Sequence, residues 1–277
     1  MLSYQHIYHA GCFADVIKHL GLCNILSYMT QKEKPLFYLD THAGRGLYDL
    51  RDKEAMKNQE YLSGITALWS ERAQLPAPFS SYLTALEHWN PDGDLRYYPG
   101  SPALAMQLLR SQDRLFFCEQ HPREFEHLQQ ITKRYPRAHC EQGDGYHELI
   151  ARLPPPERRG LIMIDPSYEI KDEYRIVPKK VQAALRLFES GVFCIWYPII
   201  DGRLHTQLLT GLAAIPNVRA LRAEFHLNSK SALGMDGCGL YLYNPPFLLE
   251  QALRSAFDSL LKIFNPGRSS YVLQNIG

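Results

Sequence analysis

Short, nearly continuous apolar runs recur along this chain and alternate with amphipathic stretches. Such runs are typical of strands buried on both faces of a parallel sheet. They predict strands over 35–40, 115–119, 161–165 and 192–197, with later candidates at 218–227 and 239–243. Between them, helical spacing of apolar residues predicts helices over 14–28, 102–110, 123–135, 174–189 and 247–264. This alternation predicts an α/β fold with a doubly wound sheet.

One region interrupts the alternation of strands and helices. Residues 47–98 are polar with helical character, and their apolar anchors are Trp69, Tyr82, Leu86 and Trp89. The stretch is longer than a usual crossover. We expect a single domain over 1–277 with a helical insertion at about 47–98, between the first and second strands. Because loops after the first strand lie at the ligand-binding edge of such sheets, the insertion is expected to help grip a substrate.

The composition is that of an ordinary folded protein, with 45% hydrophobic and 21% charged residues among 277. The net charge of +1 neither supports nor excludes a nucleic acid substrate. No apolar run has the length of a membrane span, and the N-terminus lacks a signal pattern, so we expect a cytoplasmic protein with no membrane partner. The scattered cysteines predict buried free thiols rather than disulfides or a zinc site.

Acids and glycine turns follow the predicted strands. The first strand ends in Asp40 and continues into Gly44-x-Gly46, which lacks the third glycine of a dinucleotide fingerprint. The second ends in Glu119, which is suited to ribose hydroxyls, and a third leads to Asp144-Gly145, which is suited to an adenine amino group. Each feature alone is also compatible with a plain turn or a solvated strand end. Together they predict a nucleoside cofactor of the S-adenosylmethionine type.

The fourth strand leads to Asp165-Pro166-Ser167-Tyr168. Amino-group methyltransferases have an acid or Asn, two prolines and an aromatic residue at this place. An acid and a backbone carbonyl can accept the amine N–H groups and stabilise the positive charge that develops during transfer. We therefore predict Asp165, Pro166 and Tyr168 as catalytic residues, with Tyr168 stacking on an extruded base.

A second segment, Asn244-Pro245-Pro246-Phe247, matches the amino-methyltransferase pattern more closely by letter. We nevertheless predict that Asp165 is the catalyst, because it ends an apolar central strand. Asn244 ends the last strand and runs directly into the final helix. Its prolines are therefore expected to stop the strand and start the helix.

The N-terminal stretch is rich in aromatic and imidazole side chains. Its ligand types do not complete a metal site, so we expect no metal. Stacking on a base or ordering of the cofactor is favoured for these residues, and the alternative is a docked arm whose histidines are satisfied within the protein. The residues concerned are Tyr4, His6, Tyr8, His9 and His19.

Two further features have both structural and functional interpretations. Ser101 is predicted as the N-cap of a helix that has Pro102 at its first position, and it can also contact ligand. Several basic residues are expected either to be solvated or to contact phosphates: Arg45, Arg51, Lys53, Lys57, Arg158, Arg159, Lys179 and Lys180.

Motifs along essentially the whole chain resemble the RlmJ family of bacterial 23S rRNA adenine-N6 methyltransferases. They are Leu2-Ser3-Tyr4, His6, His9-Ala10-Gly11, Ala14-Asp15-Val16, Lys18-His19, Leu39 to Gly44, Arg96 to Pro102, Arg158 to Ile162 and Trp196-Tyr197-Pro198. The resemblance implies a Rossmann-like S-adenosylmethionine-dependent methyltransferase fold with a helical insertion. It implies an adenine of free or early-assembly 23S rRNA as the substrate, and we expect a monomer.

The resemblance also implies roles for individual residues. The family's catalytic acid corresponds to Asp165, and its tyrosine near the RNA adenine corresponds to Tyr4. Its cofactor contacts correspond to His19, His42, Ser101, Glu119, Asp144, Gly145 and Asp165. Beyond the resemblance, we expect Lys18 and Gly44 to contact the cofactor, and His6 and Tyr168 to bind substrate together with Tyr4.

This chain departs from the family pattern at three positions. Ser167 replaces the second proline, and Gln5 and Cys12 stand where Arg and Asn are usual. The alternatives to rRNA methylation are a DNA adenine or protein glutamine methyltransferase, and a noncatalytic RNA-binding module on the same scaffold.

Overall fold

An eight-stranded sheet lies at the centre of the computed structural model, which describes residues 4–200, 204–228 and 235–276. Leu2 and Ser3 of the N-terminal motif lie outside these ranges. The strands are β1 (Phe37–Asp40), β2 (Leu47–Asp49), β3 (Tyr97–Pro99), β4 (Arg114–Glu119), β5 (Ala138–Gln142), β6 (Gly160–Ile164), β7 (Val192–Ile200), β8 (Ala220–His226), β9 (Met235–Tyr243) and β10 (Ser270–Ile276).

The predicted helices are present within three residues of their expected limits, and shorter ones accompany them. The α-helices are α1 (Phe13–Met29), α2 (Ala55–Asn58), α3 (Ile65–Ser70), α4 (Ser80–Trp89), α5 (Ser101–Leu108), α6 (Pro122–Thr132), α7 (Gly145–Ala151), α8 (Glu173–Leu187), α9 (Leu204–Ala213) and α10 (Leu249–Ile263). Among the described residues, none of these helices is long and apolar enough to cross a membrane.

The strand order is β10-β8-β9-β7-β6-β1-β4-β5. β1, β4, β5, β6 and β7 are parallel, whereas β9 runs antiparallel to both β7 and β8, and β10 runs antiparallel to β8. The chain builds outward from β1 through β4 to β5, then returns to β6 on the other side of β1. The strand order therefore reverses between β1 and β6, which is where ligands bind in open α/β sheets. The predicted Rossmann-like α/β fold is confirmed.

Side chains of the central strands alternate between two apolar clusters, one on each face of the sheet. Tyr38 contributes to the cluster beneath α1, α5 and α10, whereas Phe37 and Leu39 contribute to the one beneath α7, α8 and α9. Because both faces are covered, the interiors of β1, β4 and β6 are apolar at successive positions, as the sequence indicates, and charged residues appear only at strand ends.

The segment between β1 and β4 contains α2, α3 and α4 together with a two-stranded sheet of β2 and β3. Tyr82 and Leu86 are fully buried and Trp69 is 7% exposed, while Trp89 is only partly buried. Tyr48 pairs with Tyr98 across the two short strands, so the beginning and the end of this segment meet beside β1.

Candidate active site

The carboxyl ends of the parallel strands bring the predicted acids to one edge of the sheet. Asp40 is the last residue of β1 and Glu119 the last of β4, while Asp144 follows β5 and Asp165 comes directly after β6. β1 pairs with both β4 and β6, so Asp40 and Asp165 lie on the two sides of the point where the strand order reverses. We call this edge, with these four acids, the acidic edge.

The loop after β1 is held against the end of β4. Gly44 and Gly46 have φ angles of +63° and +81°, which favour glycine. Gly44 N–H donates to Glu119 Oε2 at 2.7 Å, and His121 N–H donates to Oε1 at 2.7 Å. Burial nevertheless raises the pKa of Glu119 to about 7. The loop and the carboxylate are therefore fixed relative to each other, and Glu119 titrates near neutral pH.

Asp144 and Gly145 form the start of α7. The Asp144 carboxylate accepts a hydrogen bond from Tyr146 N–H at 2.8 Å, as an N-cap does. A Cβ at Gly145 would lie 1.9 Å from the carbonyl oxygen of Thr41. Only glycine therefore allows α7 to pack this closely against the loop after β1.

Asp40 and Ser101 form a buried pair under this loop. The Tyr38 hydroxyl donates to Asp40 Oδ2 at 3.0 Å, and Ser101 also hydrogen-bonds the carboxylate. Burial raises the pKa of Asp40 to about 6. The prediction of Ser101 as an N-cap is wrong: Gly100 takes that position and Pro102 is the second helical residue. Since Gly100 is in extended conformation, the helix begins one residue earlier than the Ser-Pro pair suggests.

His19 is buried and His42 is half-buried, and both are hydrogen-bonded. His42 Nδ1 lies 2.8 Å from Thr41 Oγ1, and its ring lies edge-on to Tyr146 at 5.1 Å. Burial lowers the pKa of His42 to about 4, so this ring is neutral at pH 7. His19 Nδ1 lies 2.6 Å from the hydroxyl of Tyr98, which links α1 to the segment between β1 and β4.

Asp165 is linked to the N-terminal stretch through a continuous set of polar contacts. Lys18 Nζ lies 2.6 Å from Asp165 Oδ2 and 2.9 Å from Asp15 Oδ1. His6 Nε2 lies 2.8 Å from Asp15 Oδ2, and the Tyr4 hydroxyl oxygen lies 2.8 Å from His6 Nδ1. The predicted residues Tyr4, His6 and Lys18 are therefore brought together with Asp165.

The rest of the motif after β6 is bent around Tyr168, whose φ is +54°. Its hydroxyl donates to the Trp196 carbonyl oxygen at 2.9 Å, and its ring centroid lies 4.6 Å from that of Tyr174. Tyr168 is 6% exposed, while Ser167 is exposed. In this arrangement the motif is anchored by its tyrosine, and a base would meet only the small accessible part of the ring.

Asn244 lies at the opposite edge of the sheet from Asp165. Because β9 runs antiparallel to β7, its last residues lie beside the first residues of β7. Asn244 Nδ2 donates to the carbonyl oxygens of Glu189 and Gly191 at 2.7 and 2.8 Å. The side chain thus closes the turn before β7 and takes a structural position, as predicted.

Arg45 is not a surface residue, so the interpretation of Arg45 as a possible phosphate contact is wrong. It is 6% exposed and its guanidinium binds Glu124, with Nη2 at 2.6 Å from Oε1 and Nε at 3.0 Å from Oε2. Glu124 is 3% exposed on α6. The pair fixes the loop after β1, called the glycine loop below because it contains Gly44 and Gly46, to α6.

Lys53, Lys57, Arg158 and Lys179 are exposed, as expected of solvated or phosphate-binding side chains.

Residues that the sequence interpretation did not select also belong to the site. Asp15 accepts hydrogen bonds from both His6 and Lys18, and Tyr98 holds His19. Trp196 places its ring centroid 5.7 Å from Lys18 Nζ. Asp15 and Lys18 lie three residues apart on a helix that is otherwise mostly apolar, and that pairing is the signal that would have found Asp15. Among the described residues, no group of three His, Cys, Asp or Glu side chains is placed to hold a metal ion.

Comparisons with known proteins agree on one family. The family model described as "Ribosomal RNA large subunit methyltransferase D, RlmJ" matches residues 33–275. The ribosomal RNA large subunit methyltransferase J of Escherichia coli K12 is 40% identical over 261 residues, which cover 94% of this chain and 93% of that protein. Its namesake from Haemophilus influenzae is 38% identical over 277 residues, covering 99% and 98%.

A solved structure is similar over nearly the whole chain. The crystal structure of protein LPL1258 from Legionella pneumophila has a TM-score of 0.92 and 44% sequence identity, and the match covers 97% of this chain and 99% of that one. The parallel strands, the acids at their carboxyl ends and these matches lead to one conclusion: the chain belongs to the RlmJ family of ribosomal RNA large subunit methyltransferases.

Proposed function

We propose that this protein methylates the N6 amino group of an adenine in 23S ribosomal RNA, with S-adenosylmethionine as the methyl donor. The observation that carries the proposal is the position of Asp165 and Pro166 directly after β6, where the strand order of the sheet reverses. Membership of the rRNA methyltransferase family supports RNA as the acceptor.

The residues at this position suit a weakly nucleophilic amine. The N6 lone pair of adenine is delocalised into the ring, so attack requires a pyramidal nitrogen. The Asp165 carboxylate and the Pro166 carbonyl would each accept one N–H, which favours that geometry and stabilises the developing positive charge. When the N–C bond forms and the bond between methyl and sulfur breaks, the nitrogen would become cationic and would then release one of its two protons to water. Tyr4, His6 and Tyr168 would bind the base beside Asp165.

The acidic edge fits S-adenosylmethionine in its chemistry. The ribose hydroxyls, the adenine amino group and the amino-acid ammonium are all donors, and the acidic edge supplies carboxylate acceptors. When bound, this cofactor supplies the methyl group from its sulfonium centre. The residues that would hold it are Lys18, His19, His42, Gly44, Ser101, Glu119, Asp144, Gly145 and Asp165. Of these, Lys18 and His19 already bind Asp165 and Tyr98, so they would shape the pocket chiefly by holding those partners.

We further propose that the whole chain is one methyltransferase domain, in which residues 47–98 are an insertion that grips RNA. The support is its position: Lys57 on α2 and Tyr8 face each other across a groove of about 280 Å³ that Tyr4 and Glu169 also line. Lys57 Nζ lies 5.7 Å from the Tyr8 ring centroid. A cation beside an aromatic ring is suited to a nucleotide next to the target base.

The test uses the purified protein, S-adenosylmethionine and 23S rRNA transcribed without modification. Nucleoside mass spectrometry should find N6-methyladenosine with the intact protein. It should find at least 100-fold less with Asp165→Ala, which is the order expected for loss of a direct electrostatic contact. Asp172→Ala is the matched control, because this exposed acid belongs to the same loop. Absence of N6-methyladenosine, or a preference for DNA or protein acceptors in competition, would overturn the proposal.

A further inference from the structure

Asp15 is a buried acid beside the candidate active site that does not belong to the acidic edge. It lies in the first turn of α1 and is 1% exposed. Its Oδ2 accepts hydrogen bonds from Gly11 N–H at 2.9 Å and from His6 Nε2 at 2.8 Å. Its Oδ1 lies 2.9 Å from Lys18 Nζ. Both oxygens are therefore engaged, and no part of the carboxylate is available to a ligand.

Lys18 lies between two carboxylates, those of Asp15 and Asp165. Its Nζ is 2.9 Å from the first and 2.6 Å from the second. Burial would lower the pKa of Lys18, but the two carboxylates raise it well above its usual value, so the side chain is an ammonium. Burial would likewise raise the pKa of Asp15, but the charges of His6 and Lys18 lower it well below its usual value. One ammonium group is thus shared by two carboxyl groups.

This sharing determines how much negative charge the substrate meets. If Lys18 paired with Asp165 alone, one positive charge would neutralise the carboxylate that must stabilise the amine. Because Asp15 attracts the same ammonium from the other side, Lys18 neutralises Asp165 only in part, and the Asp165 carboxylate keeps more of its negative charge next to the reacting nitrogen. In a buried site such a charge acts strongly, since little solvent screens it.

We propose that Asp15 is a positioning residue for methyl transfer, which holds Lys18 between two carboxylates and so keeps Asp165 negatively charged toward the amine. The same carboxylate fixes His6, so the N-terminal stretch and the catalytic acid are held by one side chain. This inference rests on the proposed function and adds a residue to it.

The test is Asp15→Asn, which nearly preserves size and removes the charge. The amide has one oxygen, and the donors Gly11 N–H and His6 both require it. Its NH₂ group would then face Lys18 and drive the ammonium toward Asp165. We expect kcat to fall by about 10-fold to 100-fold, less than for a direct contact. The KM for 23S rRNA and the Kd of S-adenosylmethionine should stay within about threefold. Asp15→Glu, which restores the charge, should recover part of the lost kcat.

A double-mutant cycle shows whether Asp15 acts through Lys18. If it does, Asp15→Asn combined with Lys18→Met should lose no more activity than Lys18→Met alone. Asp113→Asn is the matched control, because Asp113 is an equally buried acid that binds Leu36 N–H and Arg110 away from the acidic edge. Its kcat per folded molecule should equal that of the wild type.

The possible outcomes separate this inference from the proposed function. If the wild-type protein forms no N6-methyladenosine, the proposed function fails and the role of Asp15 fails with it. If the wild type is active and Asp15→Asn keeps its kcat, only the role of Asp15 is overturned. The role of Asp15 is also overturned if the losses of kcat in the double-mutant cycle are additive. It is likewise overturned if Asp15→Asn and Asp15→Glu lose activity equally and the loss disappears once kcat is corrected for the folded fraction.

Discussion

Asp165 and Asn244 stand in similar motifs and have different surroundings. Asp165 faces Lys18 at the acidic edge, whereas Asn244 binds the carbonyl oxygens before β7. We expect Asn244→Ala to lower the free energy of unfolding by about 1–2 kcal/mol, because one exposed and one partly buried carbonyl oxygen lose their donor. Urea unfolding measures this loss.

The matching expectation for Asn244→Ala concerns activity. The folded fraction should retain kcat within about twofold, in contrast to Asp165→Ala, which should lose about 100-fold or more. A variant of Asn244 that folds normally but cannot methylate RNA would show that the catalytic assignment is reversed.

Glu119 makes cofactor binding sensitive to pH. Its pKa in the free protein is about 7, so below this pH it is protonated and accepts ribose hydroxyls poorly. We expect the Kd of S-adenosylmethionine to decrease as the pH rises from 6 to 8, because the carboxylate forms. Isothermal titration calorimetry at several pH values measures this change.

Glu119→Gln is the control for this pH dependence. Asp40, with a pKa of about 6, titrates in the same range and remains in this variant. Any dependence that persists in Glu119→Gln therefore belongs to Asp40 or to the ligand. A Kd that varies equally in the wild type and in this variant would rule out Glu119 as the titrating group.

Candidate site residues at strand ends were predictable from the pattern of apolar runs, whereas Asp15, inside α1, was not selected. Glu119, Asp144 and Asp165 follow apolar runs, so the direction of parallel strands places them together. Asp15 has no such marker, because its role depends on His6 and Asp165, which are distant in sequence from each other. The sequence likewise gives no sign that Arg45 is buried, since a charged residue in a loop is usually solvated.

At the level of secondary structure, the ion pair between Arg45 and Glu124 joins the glycine loop to α6. Both groups are buried and make two close N–O contacts. We expect Glu124→Ala to lower the free energy of unfolding by about 3–5 kcal/mol, because the arginine charge remains buried without its partner. The measurement is urea denaturation followed by circular dichroism.

Arg254→Ala is the control for this pair. Arg254 and Glu250 form an exposed pair on α10, so its loss should leave the unfolding midpoint unchanged. If Glu124→Ala were as stable as the wild type, the ion pair would not be what fixes the glycine loop.

The strands for which the sequence predicted no limits are short or only partly buried. β5, expected only as a strand that leads to Asp144, lies at the sheet edge and is largely exposed, and β10 at the other edge mixes apolar and polar residues and is only partly covered. β2 and β3 have three residues each, which is too short for an alternating pattern to show. The sequence signal comes from burial, so it fails where a strand is paired but not buried.

At the level of the whole molecule, the net charge of +1 limits electrostatic attraction of RNA. Among the described residues, Lys57 on α2 and Lys171 in the loop after β6 are exposed cations. We expect the logarithm of kcat/KM for 23S rRNA to fall with the logarithm of salt concentration with a slope of about −1.5 to −3. This corresponds to roughly two to four phosphate contacts.

Steady-state kinetics between low and physiological salt test this slope. The Kd of S-adenosylmethionine over the same range is the control and should change much less, because this ligand carries a single net positive charge whereas RNA carries one negative charge per phosphate. A slope steeper than about −5 would mean that the protein contacts far more phosphates than its exposed cations suggest.

The reversed direction of β9 has an evolutionary consequence. Because the last residues of β9 lie on the opposite side of the sheet from the loop after β1, selection for methyl transfer does not act on the residue types found there. Those residue types are constrained only by the need to close a turn, for which Asn and Pro are well suited. Sequences that match a catalytic motif can therefore arise by drift after an antiparallel strand. A motif search that ignores strand direction will select them in preference to the motif at the carboxyl ends of the parallel strands.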